Sequence, residues 1–270
     1  MCVPWQPVTS GHLITPLIEM MTPLYLIDDE SDLPPSHHAL DDPDGLIAVS
    51  KTVTADLIWR AYHQGYYPCS PVDEELTLWW APSQRMVLFP DNLHISKNFK
   101  KLLKRITFND TNPKATLQIT INHCFEEVIR ACATVQRNQE FDGNWISEDI
   151  IATYTSLHQQ GLAHSFEAWQ EGELIGGLYG VKIGRIFCGE SMFSKQSQAS
   201  RIVFSYAVNF LANQGIMLID CQQDSVYLRS LGATLIPRDE YEYCLQILSP
   251  NTVMPRAWPA GRIAYDGHYI

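Results

Sequence analysis

The 270-residue sequence has no long hydrophobic run, no Cys-x-x-Cys pair and no internal repeat. A membrane-spanning helix needs about 18 or more consecutive apolar residues, and no stretch approaches that length. The first ten residues contain no Lys or Arg, so the basic region of a secretory signal is missing. The seven cysteines are odd in number and lack zinc-ribbon or thioredoxin spacing. No spacing of His and carboxylates indicates a metal site, and we expect a cytoplasmic protein with reduced thiols and no membrane association.

Positive charge is also scarce, since the formal net charge is −11. Residues 1–75 hold 12 acidic and 2 basic residues, whereas residues 76–150 hold 8 acidic and 9 basic residues. The total argues against a general nucleic-acid-binding protein. A local exception is the predicted helix after Ser96, which places four cations on one broad face: Lys97, Lys101, Lys104 and Arg105. Such a strip is either a solvated helix face or a surface for a few phosphates.

The composition is that of an ordinary globular protein, with 46% hydrophobic and 18% charged residues. The patterns predict helices over 55–64, 97–105, 124–135, 147–160, 197–214 and 227–233. They predict strands over 45–50, 76–80, 86–90, 118–122, 163–170, 173–184, 185–194, 218–222 and 241–247. We therefore predict a mixed α/β (α+β) fold. A small domain spans residues 1–82, with 1–22 as a loose extension, and a larger domain spans residues 83–270.

A carboxylate lies inside the predicted strand FCGESMFS, residues 187–194. Strict alternation predicts that Cys188, Glu190 and Met192 share one face of this strand. A buried, unpaired carboxylate is costly. Glu190 is therefore expected to point to solvent or to bind a cation.

A second polar pattern lies in LIDCQQ, residues 218–223, where Asp220 and Gln222 would share a strand face. The pair forms either a polar relay, in which the carboxylate orients the amide, or an ordinary strand end in solvent. Cys221 as a nucleophile would need a nearby base that the sequence does not locate.

Glycines recur at Gly176, Gly177, Gly180 and Gly184, which indicates either bulges with close backbone approach or a twisted turn. Their spacing is not a dinucleotide-binding fingerprint. The pattern [QR]-x-x-G-x-[GA], typical of acyl-CoA-dependent enzymes, is not met. The segment RSLGAT has Thr234 where the pattern requires Gly or Ala, and the segment HQQGLA has His158 where the pattern requires Gln or Arg.

Taken together, these stretches resemble the bacterial leucyl/phenylalanyl-tRNA–protein transferases. The resemblance runs from about residue 43 to residue 243 and rests on nine ordered blocks: PDGLIAVS, LWWAPSQR, NWIS, GLAHSFEAW, GGLYGVKIG, FCGESMFS, QAS, LIDCQ and LRSLGA. It implies a GNAT-like acyltransferase domain after the small N-terminal domain. It also implies transfer of Leu or Phe, and less well Met, from aminoacyl-tRNA to proteins that begin with Arg or Lys, as a degradation signal. Aminoacyl-tRNA would be a co-substrate, with no separate cofactor, and the protein would be a monomer.

The resemblance also implies roles for individual residues. Asp220 and Gln222 match the catalytic pair, and Glu190 matches the acid near the cationic acceptor residue. The apolar donor pocket matches Leu178, Phe187, Met192 and Ile219, while Trp145 and Tyr154 match aromatic positions around the terminal adenosine and aminoacyl group. The cationic helix face would contact phosphates of the tRNA acceptor end.

The sequence departs from the family pattern at several positions. Tyr67-Pro68-Cys69 stands where the family has Phe-Pro-Trp, so an indole near the terminal adenosine is missing. Its loss either weakens donor binding or shifts that role to Tyr62 or Trp80. Residues 50–53 also differ from the usual Gly-Gly-Asp-Leu, Arg201 replaces a Lys, and an extra stretch lies around 110–115. Two alternatives stay open: an acyltransferase with another donor, and a non-catalytic tRNA-binding paralogue.

Overall fold

The computed structural model describes residues 24–69, 76–112, 115–134, 146–250 and 257–266. The predicted extension over 1–22 lies outside them. The helices are α1 (Ala55–His63), α2 (Lys97–Thr107), α3 (Phe125–Ala133), α4 (Glu148–Gln159), α5 (Ala199–Asn213), α6 (Val226–Ser230) and α7 (Arg238–Leu248). The strands are β1 (Tyr25–Leu26), β2 (Leu46–Ser50), β3 (Tyr67–Pro68), β4 (Thr77–Trp80), β5 (Gln84–Leu88), β6 (Leu117–Ile121), β7 (Ala163–Gln170), β8 (Glu173–Ile183), β9 (Ile186–Ser194), β10 (Leu218–Gln222), β11 (Thr234–Pro237) and β12 (Gly261–Arg262).

These strands form two sheets. A four-stranded sheet has the order β1-β2-β4-β3, and an eight-stranded sheet has the order β11-β5-β10-β9-β8-β7-β6-β12. Within the larger sheet β9 and β10 run parallel, while β6 to β9 are antiparallel neighbours. The mixed α/β fold is thus confirmed.

The chain passes from the small sheet to the large one between Trp80 and Gln84, near the predicted domain boundary at residue 82. One apolar core nevertheless runs through both parts, since Tyr62 and Trp79 pack in the same cluster as Tyr154. The division into two domains stays a prediction.

Hydroxyl side chains begin three of the predicted helices. Thr54 Oγ1 accepts the Leu57 N–H at 3.1 Å. The hydroxyls of Ser96 and Ser147 accept the amide of the third residue onward at 3.5 Å and 3.3 Å. These caps satisfy amide groups that have no partner inside a helix, and the predicted starts of these helices are confirmed.

The predicted strand over 241–247 is wrong, because this segment lies in helix α7. Tyr241 and Leu245, four residues apart, are buried on one face, while Tyr243 and Ile247 are 64% and 55% exposed. Aromatic and aliphatic residues at every second position imitate a strand, but two of them face solvent. The last strand of this region is instead β11, an edge strand whose position tolerates Pro237.

Two apolar clusters lie on opposite faces of the large sheet. Leu218 packs in the first cluster, with Tyr179 and Tyr241, whereas its neighbour Ile219 packs in the second. The second cluster contains α5 and the buried face of α2. Within the described residues, no helix is both long and apolar enough to cross a membrane.

Candidate active site

Seven of the predicted site residues converge where strands β9 and β10 separate: Leu178, Phe187, Glu190, Met192, Ile219, Asp220 and Gln222. Their parallel register runs from Leu218–Ile186 to Asp220–Cys188. The next residues of both strands line a cavity of about 280 Å³, which therefore opens at the point where the two strands part.

Each strand is irregular at this point. Tyr179 pairs with Ser191 and Gly180 pairs with Gly189, which leaves Glu190 as an extra residue in β9. A Cβ at Gly180 would lie 2.3 Å from the Cys188 carbonyl oxygen, so a glycine is required at this close approach. One of the two interpretations of the glycine pattern, a bulge with close backbone approach, holds here.

The bulge overturns the predicted alternation of β9. Cys188 packs in the first apolar cluster, whereas Met192 packs against the second, so these two residues lie on opposite faces. An extra residue in one strand reverses the facing of every residue after it. Glu190 can consequently stand at the junction between the two clusters.

The Glu190 carboxylate is 8% exposed and accepts hydrogen bonds from two buried tyrosines. Tyr62 OH donates to Oε1 at 2.5 Å, and Tyr154 OH donates to Oε2 at 2.9 Å. The two hydroxyls lie 2.9 Å apart. Glu190 is therefore held from one side by neutral donors while it borders the cavity.

Burial disfavours the charged form of Glu190 and raises its pKa to about 7, while the tyrosine hydrogen bonds act in the opposite direction. Neutral donors compensate only part of the cost of burying this carboxylate. A bound cation would supply the missing compensation, and the binding of a cation by Glu190 stays a prediction.

Asp220 is completely buried and bound by a residue that the sequence reasoning missed. Arg85 Nε donates to Oδ1 at 2.8 Å, and Nη2 donates to Oδ2 at 2.7 Å. Tyr241 OH also donates to Oδ2, at 2.7 Å. Arg85 belongs to the block LWWAPSQR, but its partner is 135 residues away, so no local pattern reveals the pair.

The Asp220–Gln222 relay has a different geometry from the expected one. Asp220 Oδ1 accepts the backbone N–H of Gln222 at 2.9 Å, not the side-chain amide. Gln222 adopts a left-handed conformation with φ 62°, at a second bulge between β10 and β5. Its Nε2 donates to Glu190 Oε1 at 3.4 Å. Asp220 thus fixes the backbone of Gln222, and the amide side chain turns to Glu190.

The apolar half of the cavity contains all four residues predicted for the donor pocket: Leu178, Phe187, Met192 and Ile219. Helix α5 contributes the opposite wall, with Phe204, Ala207, Val208 and Leu211. An apolar compartment that adjoins a carboxylate and an amide can hold an aliphatic or aromatic side chain next to a polar reaction centre.

The described aromatic residues predicted to contact the donor do not line the main cavity together. Tyr62 and Tyr154 are 1% and 0% exposed and support Glu190. Trp145 lies outside the described residues. Trp80 Nε1 donates to the Cys69 carbonyl oxygen at 2.7 Å, and both residues line a neighbouring cavity of about 390 Å³. Cys69 also lines the main cavity, so the position of the missing indole lies between the two.

The cationic strip lies apart from the cavity lining, on helix α2. Lys97, Lys101, Lys104 and Arg105 are exposed, whereas Phe99 and Leu103 are buried. The buried side belongs to the same apolar cluster as Phe187. The predicted separation of cationic and apolar faces is confirmed; contact with RNA stays a prediction.

Cys221 is poorly suited to act as a nucleophile. Burial raises the pKa of the Cys221 thiol and disfavours the reactive thiolate. In the described part of the chain, no group of three or more His, Cys, Asp or Glu residues is placed to hold a metal. A larger cavity of about 830 Å³ lies between α1 and α7 and is lined by none of the predicted site residues.

Structural comparison gives weak likenesses. A GCN5-related N-acetyltransferase from Kribbella flavida covers 71% of this chain and 64% of its own, with a TM-score of 0.33 and 12% identity. A likeness with so low a TM-score gives no information about function.

Sequence comparison identifies the family of this chain. The family model described as leucyl/phenylalanyl-tRNA protein transferase matches residues 87–246. A leucyl/phenylalanyl-tRNA–protein transferase of Methylococcus capsulatus is 40% identical over 88% of this chain and 97% of its own length. One from Saccharophagus degradans is 44% identical over 83% of this chain and 87% of its own length. The chain belongs to the leucyl/phenylalanyl-tRNA protein transferase family.

Proposed function

We propose that the protein is an aminoacyltransferase that moves Leu or Phe, and less well Met, from aminoacyl-tRNA to the N-terminal Arg or Lys of acceptor proteins. The product carries a new peptide bond and a destabilising N-terminal residue that marks it for degradation. The protein would act in the cytoplasm as a monomer, without a separate cofactor. The observation that carries this proposal is the cavity in which an apolar compartment adjoins Glu190 and Gln222.

The apolar compartment suits the side chain of the transferred amino acid. The apolar part of the cavity of about 280 Å³, lined by Leu178, Phe187, Met192 and Ile219, suits a leucyl or phenylalanyl side chain, and these four side chains offer no partner for a charge. The size and the lining therefore support a choice of large apolar amino acids.

The acceptor's cation would be recognised at Glu190. Its carboxylate has a pKa near 7 because of burial, so a guanidinium or ammonium group beside it stabilises the charged form. Charge-assisted hydrogen bonds of this kind are about twice as strong as neutral ones. This preference accounts for acceptors that begin with Arg or Lys.

The reaction joins the acceptor's α-amine to the ester carbonyl of the donor. A C–N bond forms, the C–O bond to the terminal ribose breaks, the amine loses a proton, and the ribose oxygen gains one. Because Gln222 Nε2 donates to Glu190, its Oε1 is the atom that accepts a hydrogen bond from the amine. An amide is too weak a base to remove the proton, and the ribose hydroxyl is suited to pass it on. Orientation supplies much of the rate.

Donor choice tests this function. The purified protein is mixed with an Arg-first peptide and, separately, Leu-tRNA, Phe-tRNA or acetyl-CoA, each labelled in the acyl group. The proposal predicts label on the peptide from both aminoacyl-tRNAs and none from acetyl-CoA. Transfer from acetyl-CoA alone would support an acyltransferase with another donor. Tight tRNA binding without transfer would support a non-catalytic paralogue.

A further inference from the structure

Arg85 stands at the centre of the polar contacts beneath the cavity. Its side chain is 1% exposed and makes a paired, two-point contact with Asp220. Two aromatic rings enclose the guanidinium, since its Cζ lies 4.4 Å from the Tyr67 ring centre and 4.7 Å from the Tyr241 ring centre. A planar group that is hydrogen-bonded along one edge and contacted by two aromatic rings has little freedom to move.

The same guanidinium connects the large sheet to the end of helix α1. Its remaining terminal nitrogen, Nη1, donates to the Gly65 carbonyl oxygen at 3.2 Å, just after helix α1. Helix α1 carries Tyr62, which holds Glu190. On the other side, Arg85 holds Asp220, which holds the backbone of Gln222. Arg85 therefore contacts Asp220, which holds the Gln222 backbone, and also the end of helix α1, which carries Tyr62.

The contacts also define what Asp220 can do. Its carboxylate accepts hydrogen bonds from Arg85, from Tyr241 and from the Gln222 backbone, and the side chain is 0% exposed. A carboxylate that is fully buried and saturated by donors cannot reach the substrate. Its available role is to keep Gln222 in the left-handed conformation that directs the amide to Glu190.

We infer that Arg85 is a positioning residue for aminoacyl transfer, which sets the place of Gln222 through Asp220 and ties that place to helix α1. This inference rests on the proposed function, and it adds to the Asp220–Gln222 pair a residue of the neighbouring strand β5 that does not line the cavity. Lysine cannot replace Arg85, because an ammonium is not planar and cannot make the paired contact with a carboxylate.

The test compares Arg85→Lys, Asp220→Asn and the double variant in Leu-tRNA transfer. Arg85→Lys keeps a positive charge in the buried site and is therefore the variant most compatible with folding. We expect kcat to fall about 10-fold or more in each single variant, with KM for Leu-tRNA unchanged within about 2-fold, because the lost contact positions the reacting group. The double variant is expected to match the slower single variant, since both changes break one chain of contacts.

Arg238→Lys is the matched control. Arg238 also bridges parts of the chain through carbonyl oxygens, with Nη1 2.9 Å from the Ser36 oxygen and Nε 3.2 Å from the Pro82 oxygen, but it contacts no residue of the cavity. Its kcat should equal that of the wild type even where its melting temperature falls. Additive losses in the double variant, or an unchanged kcat in Arg85→Lys, would overturn the inference.

A crystal structure of Arg85→Lys gives a readout that does not require transfer. The inference predicts that the Gln222 amide leaves Glu190 and that the backbone at Gln222 relaxes from its left-handed conformation. An unchanged Gln222–Glu190 contact would contradict the inference. An inactive wild-type protein would instead contradict the proposed function, so the two failures are distinguishable.

Discussion

The Gln222 amide nitrogen lies 3.4 Å from Glu190 Oε1, across the gap between strands β10 and β9. Glu190 is the extra residue of the bulge in β9, and Gln222 directly follows the bulge at Cys221 in β10. Bulges re-aim side chains, and strands of a packed sheet hold side chains more precisely than loops do. The spacing between the Glu190 carboxylate and the Gln222 amide is therefore a property of the fold.

Replacing Glu190 by Gln should weaken recognition of the acceptor. The change keeps the shape of the side chain but removes the charge that would pair with an N-terminal Arg. We expect KM for an Arg-first peptide to rise about 10-fold or more, because a hydrogen bond to a charged group contributes about 1.5–3 kcal/mol. Steady-state kinetics with the peptide varied measures the effect. An equal increase in KM for Leu-tRNA would argue against an acceptor-specific role.

The same substitution should change how stability depends on pH. The folded protein holds the Glu190 pKa near 7, above its ordinary value of 4.5, so the folded state binds the proton more tightly than the unfolded state. The wild type should therefore lose roughly 3 kcal/mol of stability relative to Glu190→Gln as the pH rises from about 4.5 to 7, and no more above that range. Urea unfolding at pH 5, 6, 7 and 8 measures this difference. A constant difference between the two proteins would contradict the raised pKa, and Glu173→Gln, an exposed site on β8, should follow the wild type.

Gln222→Ala should separate activity from stability. The side chain is half-buried and contacts Glu190 at the edge of the cavity, so its removal should change the free energy of unfolding by less than about 1 kcal/mol. Transfer should fall at least about 10-fold, because the amine loses the group that orients it. Gln223→Ala, at the next cavity-lining position, serves as the control. An equal loss of activity in both variants would show that Gln222 has no special role.

Met192→Ala should weaken use of the donor. Met192 lines the apolar compartment, and loss of a large apolar side chain there corresponds to about 1.5–3 kcal/mol of contact. We expect kcat/KM for Leu-tRNA to fall about 10-fold, while KM for the peptide stays within about 2-fold. Met217→Ala removes the same side chain from a surface position that is 45% exposed and should have no effect. A change confined to the KM for the peptide would indicate that the apolar compartment binds the acceptor and not the donor.

Removing two cations from helix α2 should weaken binding of tRNA. Lys101→Ala with Lys104→Ala removes two exposed charges from the strip, and the slope of log affinity against log salt should fall by about 1.5. Fluorescence anisotropy with labelled tRNA at several salt concentrations measures the slope. Lys195→Ala with Arg185→Ala removes the same charge from other exposed positions and should leave the slope unchanged. Equal slopes for both double variants would indicate that the α2 strip is an ordinary solvated helix face with no special role in tRNA binding.

The sequence predicted those parts of the fold that depend on local chemistry. Thr54, Ser96 and Ser147 cap helices because a hydroxyl next to an apolar periodic segment is a local signal. Strands β7 and β8 follow their apolar runs for the same reason. The segment that forms α7 was misassigned, because its exposed Tyr243 and Ile247 complete a false strand pattern.

The predicted site residues came from the family resemblance, whereas their geometry required the structure. A bulge that displaces Glu190 leaves no mark in the strand pattern, and alternation put Cys188 and Met192 on the same face. The partner of Asp220 is distant in the chain, so Arg85 was missed. Pairings of this kind depend on tertiary contacts, which local periodicity does not encode.

The most direct test of the central claim is acceptor choice at a fixed donor. Labelled Leu-tRNA is mixed with the protein and one of three peptides that differ only at the start: Arg-first, Ala-first, and Arg-first with an acetylated α-amine. We expect label on the first peptide alone, because the proposed transfer needs both a free amine and a cation at Glu190. Equal labelling of the Ala-first peptide, or any labelling of the acetylated one, would contradict it.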